Sequence, residues 1–161
     1  MEYYYISGRS MEPFLRKKKD IVVVKKVDIQ TIHIGDIIAF KSDEMIEEKT
    51  SIICHRVIGV KRKEKMIKLV EKGDFYIQSS IVDQYNFVGK VVILIRDKKQ
   101  IDLSQKKWVI SSKFISLLSK SSLFYQTFKR RLLRTHEYDR HIKGIQYYIE
   151  KMLITALVKN S

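Results

Sequence analysis

The chain has 161 residues, 45% of them hydrophobic, with six glycines, one proline and one cysteine; this supports a packed core and excludes a disordered chain, a loop-rich scaffold, a disulfide framework and a thiolate metal cluster. Its formal net charge is +14, a field that draws anionic membranes, nucleic acid or acidic peptides without choosing among them. The charge is uneven: residues 1–102 carry 20 basic and 15 acidic side chains, residues 103–161 carry 12 and 3.

The N-terminal MEYYYISGRS has neither a cationic start nor a long apolar run, so no secretory signal is expected. No stretch reaches about 18 consecutive apolar residues, so no transmembrane helix is expected, and the chain reads as cytoplasmic or peripheral to a membrane. Five β-rich runs follow: DIVVVKKV (20–27), GDIIAFKS (35–42), TSIICHRVIGVKRK (50–63), MIKLVEKGD (66–74) and FVGKVVILIRD (87–97). KSDEMIEEKT (41–50) reads as a charged loop between two of them. Strands joined by polar connections, with no helical pattern between them, predict a mostly antiparallel, coiled β domain over 1–102.

From Trp108 the periodicity changes. Ile110, Phe114, Leu117 and Leu118, then Leu123, Phe124, Phe128 and Leu132, recur at helical spacing among lysines and arginines. KSS (120–122) reads as a break between two helices, and a further helix is expected from Tyr138 to Val158, with Ile142, Ile145, Ile149, Met152 and Leu153 on one side. Residues 103–161 therefore form a basic helical appendage. Either it packs on the β domain or on itself, or it lies as an amphipathic segment on an anionic membrane surface.

A serine hydroxyl is a weak nucleophile and needs a base within hydrogen-bond reach. Of the four histidines, His136 and His141 fall in the tail and His33 in the loop-like TIHIGD. His55 lies within the longest β run, where neighbouring strands can hold a ring rigidly, so it is the best candidate base. The histidines show no metal-ligand spacing and Cys54 stands alone, so no metal or other cofactor is expected.

The chain also shows, in order, G-R-S-M-E-P (8–13), D-I-V-V-V (20–24), G-D-I-I-A-F (35–40), H-R-V-I-G (55–59), K-G-D (72–74) and V-G-K-V (88–91). This ordered set, over about residues 7–95, resembles the type I signal peptidases, the S26-type serine peptidases. The resemblance implies a β fold of the kind shared with self-cleaving repressors, and it assigns Ser10 as nucleophile. His55 stands where one branch of that family has lysine and another histidine, so the histidine branch is the nearer match. In that branch an aspartate downstream of K-G-D supports the histidine, which makes Asp83 the first candidate and Asp74 the second. Met11 and Pro13 would shape the nucleophile turn and line the substrate pocket. The Ser10 backbone N–H would serve the oxyanion, and Gly8 supplies no side-chain donor.

The implied partner is a leader or precursor peptide cleaved after a small residue. An anionic membrane surface is a second partner for the basic tail; no nucleic acid is expected. Two alternatives stay open. A self-cleaving repressor would use lysine as base and carry a DNA-binding domain ahead of the serine, whereas nine residues precede Ser10 here. A catalytically inactive binding module of the same fold would bind through its tail without hydrolysis.

Overall fold

The computed structural model describes residues 1–46, 49–63, 66–76, 78–133, 148–149, 151–152 and 155–156. Its strands are β1 (Glu2–Tyr5), β2 (Ile21–Lys25), β3 (Ile37–Ile46), β4 (Lys49–Lys63), β5 (Met66–Lys72), β6 (Ser79–Val82), β7 (Phe87–Arg96) and β8 (Lys99–Asp102), followed by helix α1 (Lys106–Leu133). All form one antiparallel sheet in the order β1-β2-β7-β3-β4-β5-β6. One edge of β7 pairs with β2; the other is shared between β3 near Lys90 and β8 near Leu94. The expected mostly β domain with a C-terminal helix is the fold observed.

The central strands are buried on both faces, which is why GDIIAF and IVVV read as continuous apolar runs rather than alternating ones. Ile37, Ala39 and Cys54 face a core with Met11, Phe14, Leu15, Leu94 and Trp108, while Ile38, Phe40 and Val57 face a second core with Ile32, Leu69 and Val82. Helix α1 closes the first core through Trp108 and Ile115. Its approach needs Gly35, whose φ is +100° and whose Cβ, if present, would stand 3.0 Å from the Lys113 backbone nitrogen.

Three strands carried no sequence expectation. β1 and β6 are four-residue edge strands and β8 is a polar one, too short to show a period. Within 41–50, expected as a loop, the ladder continues: Met45 pairs with Thr50 and Ile46 with Lys49. Backbone pairing does not require apolar side chains, so the charges of this segment gave no strand signal. The break expected at 120–122 is absent, and α1 runs through it. Ser121 and Ser122 donate their hydroxyls to the carbonyls of Leu117 and Ser119 and so stay within the helix. The helix expected over 138–158 falls mostly outside the described residues.

Candidate active site

Ser10 sits in a turn that follows β1. The turn closes on itself, with Glu12 N–H donating to Arg9 O at 3.0 Å and Leu15 N–H to Met11 O at 2.8 Å. Met11, Phe14 and Leu15 sink into the core, and the alternation of these apolar anchors with exposed Gly8 and Arg9 leaves Ser10 half-buried at the rim. Arg96 fastens the far end by donating to Phe14 O at 2.6 Å while it pairs with fully buried Asp20 at 2.5 Å. Met11, at 2% exposure, holds the turn from beneath and offers substrate little surface; Pro13 is half-buried beside it.

His55 projects from β4. Side chains alternate along the strand, so Ile53, His55 and Val57 share one face while Cys54 and Arg56 take the other. The β4–β5 register, Arg56 opposite Lys72 and Val57 opposite Glu71, puts Glu71 on the His55 face as a diagonal cross-strand neighbour. The two meet: His55 Nδ1 lies 2.5 Å from Glu71 Oε2, with side chains 12% and 5% exposed. Ser80, directly opposite Glu71 on β6, donates its hydroxyl to the other carboxylate oxygen. The Phe40 ring packs edge-on against the imidazole at 5.7 Å.

Gly73 brings the two halves together. A Cβ on Gly73 would stand 3.1 Å from His55 Nε2, 3.1 Å from Ser10 Cβ and 2.6 Å from Ser10 O. The backbone of K-G-D therefore runs against both residues, and Phe75 N–H donates to Ser10 O at 2.8 Å. His55 Nε2 is buried with no hydrogen-bond partner among the described residues. That leaves one imidazole nitrogen held by a carboxylate and the other buried without a described partner, across Gly73 from the Ser10 side chain.

Neither aspartate expected beside His55 is there. Asp74 has the parity of Arg56, on the opposite face, and forms a two-pronged buried ion pair with it at 2.8 and 2.7 Å. Asp83 follows β6 and accepts from Tyr85 N–H and Asn86 N–H at 3.0 and 3.2 Å, fastening its own turn. It lies three residues past Ser80, about 10 Å along the strand. Glu71 was missed because it precedes K-G-D, whereas the resemblance directed attention downstream. Strand parity combined with a β4–β5 register would have found it.

The remaining candidates lie apart. His33 is exposed in a turn capped by Asp36, and His136 and His141 lie outside the described residues. Cys54, next to His55 in sequence, points into the other core, where burial pushes its thiol pKa up to about 12. Arg56 ties the site to α1: its Nη1 donates to Ser112 Oγ at 2.7 Å, and its guanidinium covers the Phe14 ring at 4.7 Å.

The family model of signal peptidase, peptidase S26, matches residues 1–85, a span that holds the Ser10 turn, His55, Glu71, Gly73 and Ser80. No curated protein and no solved structure matches the chain significantly. With more than half of its length matched, and with the serine turn and the histidine strand of that match meeting at Gly73, the chain belongs to the signal peptidase S26 family.

Proposed function

We propose that the protein is a serine endopeptidase of the signal-peptidase type, in which Ser10 is the nucleophile, His55 the general base and Glu71 the carboxylate that orients the imidazole. The observation that carries this reading is the buried, unpartnered His55 Nε2 beside Ser10, with Nδ1 held by Glu71. Glu71 accepts the Nδ1 proton and thereby leaves the Nε2 lone pair facing the serine. Nε2 takes the Ser10 hydroxyl proton as Oγ attacks the scissile carbonyl, and the Glu71 carboxylate stabilises the imidazolium that results.

Collapse of the tetrahedral intermediate breaks the C–N bond, and His55 returns its proton to the departing amine. Water, deprotonated by the same nitrogen, then hydrolyses the acyl-Ser10 ester. The Ser10 backbone N–H would serve as an oxyanion donor. The substrate is a leader or precursor peptide with a small residue on the acyl side of the cleaved bond, as the family implies.

The test is cleavage of such a leader peptide by the full chain, read by mass spectrometry. Ser10→Ala and His55→Ala should each abolish cleavage; Ser10→Ala should leave the circular dichroism spectrum and Tm unchanged, whereas His55→Ala, which strips buried Glu71 of its partner, should keep the spectrum and lower Tm. Cleavage by Ser10→Ala at the wild-type rate overturns the reading.

A further inference from the structure

Helix α1 is apolar on two opposite sides. Its inner face consists of Trp108, Ile115, Ser116 and Ser119, each 1% exposed. At 3.6 residues per turn, Ile110, Phe114 and Leu117 fall on the opposite line, and they are 67%, 45% and 61% exposed. The helix thus turns two serines toward the core and three large apolar side chains outward, the reverse of a helix whose only partner is its own domain. Exposed Lys106, Lys113 and Lys120 flank the outer stripe, and α1 contains no acidic residue.

We propose that this outer face of α1 docks on an anionic lipid bilayer, with Ile110, Phe114 and Leu117 entering the headgroup boundary and the flanking lysines meeting lipid phosphates. The chemistry fits a bilayer better than a second copy of the chain. Antiparallel pairing of two such faces would set lysine against lysine with no carboxylate to answer them, whereas an anionic leaflet answers both the stripe and its flanks. No helix among the described residues is long and apolar enough to cross a membrane, so the contact is one of lying on the surface.

The inner face of the same helix holds the site. Trp108 packs edge-on against Phe14 at 5.9 Å, four residues after Ser10, and Ser112 accepts from Arg56 beside the base. Docking α1 would therefore hold the Ser10 turn at a fixed height above the bilayer, where a membrane-inserted leader emerges. The docking itself does not depend on the peptidase reading.

Flotation of the full-length chain with vesicles tests it, without any need for proteolysis. The protein should float with vesicles of phosphatidylglycerol and phosphatidylcholine and stay down with phosphatidylcholine alone. Phe114→Glu combined with Leu117→Glu should lower partitioning at least about tenfold, and Lys113→Gln with Lys120→Gln several-fold, at unchanged Tm. Ser10→Ala should float like the wild type. Equal flotation of the double-glutamate variant, or no flotation of the wild type, overturns the proposal. So does either of two other results for that variant: a dimer converted to monomer in sedimentation, which assigns the face to a second copy, or a large fall in Tm, which assigns it to the chain's own residues.

Discussion

Glu71 Oε2 stands 2.5 Å from Nδ1 of His55, and Ser80 occupies the carboxylate's other oxygen. A buried carboxylate with both oxygens engaged cannot swing, so the imidazole is fixed in tautomer and direction. Glu71→Gln keeps the shape but removes the charge that stabilises an imidazolium. It should lower kcat by about 10²- to 10⁴-fold with KM little changed. Ser80→Ala frees one carboxylate oxygen and should cost less, about tenfold. Steady-state kinetics on a leader peptide read both, and wild-type kcat in Glu71→Gln would remove the carboxylate from the mechanism.

The two aspartates should separate stability from activity. Asp74 neutralises Arg56 in a site where both side chains are essentially inaccessible. Asp74→Asn takes a carboxylate charge away from a buried guanidinium and should cost about 3–5 kcal/mol, seen as a large fall in Tm. Asp83 caps an exposed turn, so Asp83→Asn should cost about 1 kcal/mol or less and leave kcat within about twofold. A collapse of kcat in Asp83→Asn at unchanged Tm would return Asp83 to the catalytic set.

What the amino-acid order disclosed follows from the range over which each signal acts. The long β runs and the helix after Trp108 were legible because burial imposes a period or an apolar run on many residues at once. The edge strands β1, β6 and β8 were not, since four residues paired on one side impose neither. Ser10 and His55, which stand on either side of Gly73, drew attention through their motifs. The carboxylate partner did not, because it depends on register: one residue of slip between β4 and β5 would turn Glu71 to the Arg56 face and bring a different residue to the histidine. The outward apolar stripe of α1 was visible as a period, but which of its sides faces the core appears only once Trp108 is seen against Phe14.

Gly73 is the narrowest point of the site. A Cβ there would lie 2.6 Å from Ser10 O, closer than any ordinary contact, and the obstructing atom is backbone already held by Phe75 N–H. Gly73→Ala must therefore push the Ser10 turn away from β5. A displacement near 1 Å is enough to lower kcat about 100-fold, with a loss of about 1–3 kcal/mol in stability. Denaturant unfolding and kinetics on the same sample check both. A variant with unchanged kcat would mean that Ser10 and His55 are not positioned across Gly73 for the reaction.

Cys54 sits one residue from His55 yet lies in the other core, and its thiol reports on that separation. Burial raises its pKa from the ordinary 9.0 to about 12, because the thiolate would be desolvated in the core. The folded thiol therefore stays neutral at about pH 8, so a disulfide reagent such as dithionitrobenzoate should leave native protein unmodified and active, and should label Cys54 fully only in urea. Linkage gives the sign at higher pH. Above the unfolded pKa the unfolded chain has lost this proton while the folded chain keeps it, so stability is complete below about pH 9 and falls as pH rises toward 12. The contribution approaches about 1.4 kcal/mol per pH unit for one proton. Cys54→Ala lacks that slope, and the difference between its urea midpoint and that of the wild type should shrink from about pH 9 to about pH 10.5. Rapid native labelling with loss of cleavage would instead place an ionised Cys54 within reach of the site.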